Sequence, residues 1–196
     1  MKKIILNASL AVIISAGAIS AAHADPFKGF YATADLGLQK NKFKSKVVGT
    51  GVKAKQKMTV PIGASFGFSS VASNNIYTAF EGGLGATFRS GGAILTPSLT
   101  AKVGYRFHER FVLAGTASGS YNKYRFNNSL GRNLSKSKFG FAPGVEGIIG
   151  LNDKMTLRLG YQYNMKNRII VRDPVQGKTK FDVTGHKLSA KLGYQI

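Results

Sequence analysis

The feature that most constrains this chain is an alternation of period two that begins at residue 29 and recurs in eight segments. In Gly29–Leu38, the residues Phe30, Ala32, Ala34, Leu36 and Leu38 share one face, and Gly29, Tyr31, Thr33, Asp35 and Gly37 the other. The same reading gives Met58–Phe68, residues 78–88, residues 95–107, Phe111–Tyr121, Phe139–Leu151, Met155–Met165 and Lys187–Ile196. The large side chains fall on the apolar face, and the opposite face is mostly Gly, Ser, Thr and Ala with a few charges. A soluble β-sandwich also alternates, but it turns its apolar face inward and bulky polar groups outward. Small residues opposite large apolar ones suit a narrow lumen inside an apolar wall. Aromatics gather toward the segment ends, among them Phe66, Phe68, Phe107, Phe111 and Tyr194, as they do in interfacial girdles.

Each segment has about the 9–11 residues that a tilted strand needs to cross a bilayer. Within lipid only a closed sheet satisfies every backbone group. The expected fold is therefore all-β, an eight-stranded antiparallel up-and-down transmembrane β-barrel with side chains filling its interior. The links agree. Ser69–Asn75, His108–Arg110 and Asn152–Lys154 are short and are read as periplasmic turns. Gln39–Lys57, residues 122–138 and residues 166–185 are long and are read as extracellular loops; Arg89–Gly92, the "RSGG" bend, is the one short outer link.

Residues 1–24, "MKKIILNASLAVIISAGAISAAHA", carry two early lysines, an apolar run and Ala22-His23-Ala24. They read as a cleaved signal peptide, leaving residues 25–196 as a single barrel domain. Export changes the meaning of the formal charge of +20. Such a charge on a cytosolic protein suggests nucleic acid; on an exported one it does not, and no nucleic-acid partner is expected. No cysteine is present, so the exported fold stands without disulfides.

An inward charge in lipid must be paired. The inward acids are Asp35, Glu81 and Glu146, and the inward bases are Lys102, Arg106, Arg158 and Lys191. Distances along the chain from the intervening bends pair Glu81 with Lys102, Glu146 with Arg158, and Asp35 with Lys191 on barrel closure, leaving Arg106 spare. Two readings of this cluster stand: a polar plug that fixes register, favoured because eight strands leave little room for water, and a proton or ion path.

This pattern resembles the small eight-stranded outer-membrane β-barrels, the family of OmpX, the OmpA transmembrane domain and the opacity-type surface proteins, over the whole chain after residue 24. The most specific part is the end, "LSAKLGYQI". Leu188, Ala190, Leu192, Tyr194 and Ile196 look like the C-terminal insertion signal read by the barrel-assembly machinery, with Ile196 where the family usually has Phe. The resemblance implies passage with periplasmic chaperones and insertion into the outer membrane among its lipid and lipopolysaccharide. A monomer is expected. Among basic members, rickettsial-type adhesins that bind host serum and matrix proteins are similar in style.

Some small barrels act on lipid A, and the residues for that chemistry are sought in vain. A Ser–His pair on one strand face needs even spacing, whereas His186 and Ser189 differ by three. His108 belongs to an inner turn. No histidine cluster and no rim pair of carboxylates is present, so no catalytic residue, metal or cofactor is expected. The basic residues instead collect in the outer links. The first holds Lys40, Lys42, Lys44, Lys46, Lys53, Lys55 and Lys57; the third holds Lys123, Arg125, Arg132, Lys136 and Lys138; the fourth holds Lys166, Arg168, Arg172, Lys178 and Lys180. "KNKFKSK" and "KAKQK" fit an extended hairpin with lysines lining one face and Gly49-Thr50-Gly51 as its turn, and "RIIVR" and "KTKFDV" fit strands continuing above the membrane. Three functions stay open: adhesion to acidic host proteins or sulfated glycans, membrane integrity through lipopolysaccharide phosphates, and a narrow pore.

Overall fold

In the computed structural model, residues 25–47, 53–89, 92–127, 133–173 and 177–196 are described. The signal peptide expected at 1–24, the Gly49-Thr50-Gly51 turn, Ser90-Gly91 of the "RSGG" bend, and Arg132 lie outside them. The described chain is one antiparallel sheet of β1 (Gly29–Val47), β2 (Lys53–Thr59), β3 (Pro61–Val71), β4 (Ile76–Arg89), β5 (Gly92–His108), β6 (Phe111–Asn127), β7 (Asn133–Gly150), β8 (Met155–Asp173) and β9 (Gly177–Gln195). β1 pairs with β9 from Tyr31↔Gln195 to Val47↔Thr179, so the sheet closes on itself. β2 and β3 are two runs of a single stave, since both pair with β1, which makes eight staves.

The faces follow the alternation. Leu36, Leu38, Phe66, Phe68, Phe80, Leu99, Phe107, Phe139, Leu159 and Leu192 are exposed on the outer wall, where lipid covers them. Phe30 lies 5.1 Å from Phe68, and Tyr105 lies 5.1 Å from Phe107, ring centroid to ring centroid, near the end that carries the short turns. The turn after β3 is closed by the Asn75 N–H donating to the Ala72 carbonyl at 3.0 Å, with Asn75 at φ 63°, a conformation that asparagine tolerates.

The staves extend beyond the segments expected from periodicity. β1 continues through Lys46 against β2, β8 runs to Asp173, and β9 starts at Gly177, so "KNKFKSK", "KAKQK", "RIIVR" and "KTKFDV" are strands, as their extended readings expect. Backbone pairing above the lipid needs no apolar face. Three prolines set where the wall divides. At Pro61 the ladder to β4 ends at Pro61↔Thr87, whereas the ladder to β1 stops at Leu36↔Ile62 and resumes at Gln39↔Thr59. Pro97 faces Leu84 on β4, but pairing of β5 with β6 stops at Ser98↔Ser120. Pro143 faces Ala117 on β6, but pairing of β7 with β8 stops at Gly144↔Gln162. A proline has no amide hydrogen to give, so Pro97 and Pro143 each keep one neighbour and end the ladder to the other.

The end with the short turns is closed by apolar packing, which differs from a lumen filled only with small polar groups. Asp25 accepts from the Phe27 N–H at 3.0 Å, and the turn places Phe27 among Tyr31, Val71, Tyr77, Ala79, Val112, Ala114 and Ile148. Gly29 then enters β1 at φ 99°, a conformation glycine adopts at no steric cost. Gly67 matters for a different reason. It faces Tyr31 on one side and Glu81 on the other, and a Cβ there would meet the Tyr31 ring and the Phe80 carbonyl at 2.7 Å. Replacing Gly67 with Val should cost about 1–3 kcal/mol through overpacking. The measurement is a lower urea midpoint of the vesicle-inserted barrel, read by unheated gel mobility; an unchanged midpoint would refute the close approach.

Candidate functional site

The lumen holds a charge cluster at about the height where Tyr31 crosses from β1 over Gly67. Lys102 on β5 donates to Glu81 on β4 at 2.7 Å and to Glu146 on β7 at 2.6 Å, and its side chain is fully enclosed. Lys191 on β9 reaches Glu81 at 2.7 Å and Glu146 at 3.6 Å. Tyr31 donates to Glu81 at 3.1 Å. Arg158 on β8 lies 3.9 Å above the Tyr31 ring, donates from Nε to Thr156 at 3.2 Å, and comes no nearer than 3.9 Å to Glu81. Six staves thus meet through two carboxylates. Three cations face those two acids, which leaves the cluster one positive charge in excess.

These distances support the Glu81–Lys102 pair and change the others. Lys102 stands opposite Ala79, two residues from Glu81, and reaches it diagonally. Glu146 takes Lys102 and Lys191 in place of Arg158, because Arg158 faces Ile148 and its guanidinium turns to Tyr31. Asp35 stands directly opposite Lys191, but it bonds Lys187 at 3.1 Å, since Lys191 is drawn across the lumen by two acids. Arg106 is not spare: it bonds Asp25 at 2.6 Å and lies 5.8 Å from the Phe27 ring, clamping the N-terminal turn under the barrel. The alternation put Tyr31 on the inward face without giving it a role, and sequence reasoning missed Tyr77 and Phe27 as lumen elements. Only the paired glycine at 67 hinted that a large ring lies opposite.

Above the cluster the lumen opens into a cavity of about 240 Å³. Its floor and walls include Asp35, Glu81, Ser98, Gln162, Lys187 and Lys191. Ser118 bridges the wall by bonding both Thr100 and Gln162 at 2.8 Å.

The outer rim is reached along β1. Lys40, Lys42 and Lys44 are exposed and continue the outward face begun by Leu36 and Leu38. They stand opposite Met58, Gln56 and Ala54, whereas Lys57, Lys55 and Lys53 stand opposite Asn41, Phe43 and Ser45. The two lysine runs therefore occupy opposite register parities of the hairpin and not one shared face, because Lys40 pairs with Met58 and not with Lys57. Lys46 stands opposite Lys180. On the β8–β9 ladder Arg168 stands opposite Asp182, Ile170 opposite Lys180, and Arg172 opposite Lys178. Lys166 at 2.8 Å and Arg168 at 3.0 Å hold Asp182, and the bond from Lys166 does most to keep that carboxyl below its usual range. On the third outer ribbon Lys123 stands opposite Ser137, Lys136 opposite Tyr124, Arg125 opposite Ser135, and Lys138 opposite Asn122.

His186 lies opposite Tyr163 and Lys40, and its Nδ1 meets the Tyr161 hydroxyl at 2.7 Å, with the Tyr163 ring 5.2 Å away. Ser189 belongs to the opposite face, so the two form no pair. His108 accepts from the Arg110 N–H at 3.3 Å in a turn. Among the described residues no group of three His, Cys, Asp or Glu comes together to hold a metal. At the C-terminal end Leu188, Ala190 and Leu192 are exposed on the outer wall and Tyr194 is half-buried, while the Ile196 N–H donates to the Phe30 carbonyl at 2.9 Å.

Removing the amine of Lys102 leaves Glu146 with a single cation at 3.6 Å. Lys102→Met should therefore lower stability by about 3–5 kcal/mol, the cost of breaking a buried pair. Restoring the balance in Lys102→Met with Glu146→Gln should recover part of that loss. Urea titration of the vesicle-inserted proteins checks both, and equal midpoints for Lys102→Met and the unaltered chain would contradict the network.

No curated protein matches the chain in sequence. Among solved structures, OprG from Pseudomonas aeruginosa is similar at 13% identity and a TM-score of 0.52, covering 89% of this chain and 99% of that one. Neisserial surface protein A is similar at 18% identity and a TM-score of 0.48, covering 86% and 98%. Ail of Yersinia pestis is similar at 17% identity and a TM-score of 0.44, covering 83% and 99%. At such identities the likeness to OprG extends to the fold alone. Residues 9–195 match the family described as the outer membrane protein beta-barrel domain, and the chain belongs to that family of bacterial outer-membrane barrels.

Proposed function

We propose that this outer-membrane barrel binds anionic partners at the cell surface through its basic rim, in the manner of a host-interaction protein or adhesin. The observation that supports this is the shape of the rim. β2, β1, β9 and β8 remain paired as a four-stranded sheet above the level of Pro61, and this sheet bears every basic residue of the first and fourth outer links. Lysines two residues apart on a strand recur about every 7 Å, a regular row of donors on a stiff support. Such a row attracts acidic protein surfaces or sulfated glycans from a distance and holds them with salt-sensitive contacts. Asp173 and Asp182 are the acids that this sheet carries in the fourth outer link.

A second reading rests on the position of Lys40. It stands across from His186 and next above Leu38, where the exposed apolar face of β1 gives way to lysines. From there Lys40 and Lys42 reach lipopolysaccharide phosphates, and the protein would serve membrane integrity.

Two variants separate the readings. Lys53, Lys55 and Lys57 exchanged for Gln should abolish capture of a serum or matrix protein or of heparin by the refolded barrel, and leave detergent resistance of the cells intact. Lys40 and Lys42 exchanged for Gln should do the reverse if phosphate binding dominates. In the unaltered chain, capture should fall steeply as salt rises from 0.05 to about 0.5 M, where the screening length shrinks below about 5 Å. Capture that survives both the triple exchange and high salt would rule out the adhesive reading.

A further inference from the structure

The seam between β7 and β8 is short. It runs from Gly150↔Thr156 only to Gly144↔Gln162, whereas β6 and β7 stay paired to Asn127↔Asn133, and β8 and β9 to Asp173↔Gly177. Seven paired residues at about 3.4 Å each, tilted by about 40°, rise roughly 18 Å. The apolar band of such a barrel is about 25 Å tall. The outer wall of β7 shows the same mismatch directly: exposed apolar residues run from Leu151 through Ile149, Val145 and Phe141 to Phe139, past the last rung at Gly144. On the other edge Tyr163 and Met165 are exposed beyond that rung. The ladder therefore ends while both edges still face hydrocarbon, where an unpaired backbone group is costly.

The gap connects with the lumen. The cavity above the charge cluster is lined on one edge of the gap by Gly140, Phe141 and Ala142, and on the other by Asn164, Met165 and Asn167. A Cβ on Gly140 would meet the side-chain nitrogens of Asn122 at 2.8 Å and Asn167 at 2.9 Å, so amides and not a backbone ladder line this edge. β8 also carries a register shift between Asn164 and Asn167, which turns Met165 and Lys166 out of the regular pairing. Lys138 donates across the gap to the Arg168 carbonyl near its upper end. A polar chamber thus opens sideways, through apolar edges, into the outer leaflet.

We infer that this gap is a side entrance at which a single-chain anionic amphiphile binds, its head group in the lumen cavity and its alkyl chain between the β7 and β8 edges in the membrane. The volume, about 240 Å³, takes a carboxylate or sulfate with a few methylenes and not a whole long chain, which leaves the rest of the chain in lipid. The sign of the head follows from the floor. Asp35 and Lys187 offset each other, and in the cluster below three cations face two carboxylates, so the chamber favours an anion. This site is separate from the rim lysines proposed above to hold surface partners.

Dodecanoate tests it. The refolded chain in phosphatidylcholine vesicles should bind dodecanoate saturably, above its partitioning into protein-free vesicles. Butyrate, which has the head without the chain, and dodecanol, which has the chain without the charge, should show no saturable binding. Gly140→Leu, which fills the space between Asn122 and Asn167, should weaken dodecanoate at least about tenfold. Pro143→Val, which restores an amide for the ladder to β8, should weaken it comparably, and it decides the matter if Gly140→Leu fails to give a heat-modifiable barrel. The triple exchange of Lys53, Lys55 and Lys57 should leave binding within about twofold. Absence of saturable binding by the unaltered chain, dodecanol binding as well as dodecanoate, or wild-type affinity in Pro143→Val would overturn the assignment.

Discussion

Every stave of this barrel depends on the ladder between β1 and β9. The hydrocarbon core offers no water to an unpaired N–H or C=O, so a sheet that did not close would leave two edges of costly groups in lipid. Closure runs from Tyr31↔Gln195 upward and ends below with the Ile196 N–H on the Phe30 carbonyl, which ties the last residue to the first stave. It also fixes the faces. A slip of one residue at this seam would turn Leu188 and Leu192 into the lumen and Lys191 toward lipid, at a cost no neighbouring contact could offset.

Once the faces are set, the inside has its own constraint. Charges that enter a lumen this narrow cannot be hydrated individually, and they are satisfied by sharing. Glu81 and Glu146 each meet two amines, Lys102 meets both acids, and Arg158 leans on the Tyr31 ring in addition to a distant carboxylate. The result links staves far apart in sequence and blocks the middle of the barrel. Below it, Phe27, Tyr77, Val112 and Ile148 form an apolar stopper held by the Asp25–Arg106 pair. The periplasmic half is thus packed shut, and the free volume lies in the outer half.

The outer half is governed by three prolines. Pro97 and Pro143 each keep one neighbour and release another, and above Pro61 the stave stays with β1 and no longer with β4, so the wall divides upward into a broad basic sheet, a β4–β5 hairpin and a β6–β7 ribbon. Division lets the basic sheet stand above the membrane without a complete ring of partners. It also leaves the β7–β8 edges parted beside a polar chamber. The proposed surface binding and the inferred lateral access both follow from one backbone limitation.

Much of this was legible in the chain. Period-two alternation with large residues on one side requires a lipid-facing wall, and eight such segments require closure, because both depend on local spacing and on the solvent. The Glu81–Lys102 pair was legible because the two residues flank a single hairpin. Tertiary structure decided the rest. Whether Lys191 answers Asp35 or Glu81 depends on how far a flexible amine reaches across a lumen, which no register shows. Which residues stop the periplasmic end depended on Phe27, a residue before the first strand. The strands above the membrane were legible in their alternating lysines, but where the wall divides was hidden, because a proline reveals which neighbour it abandons only when both neighbours are in place.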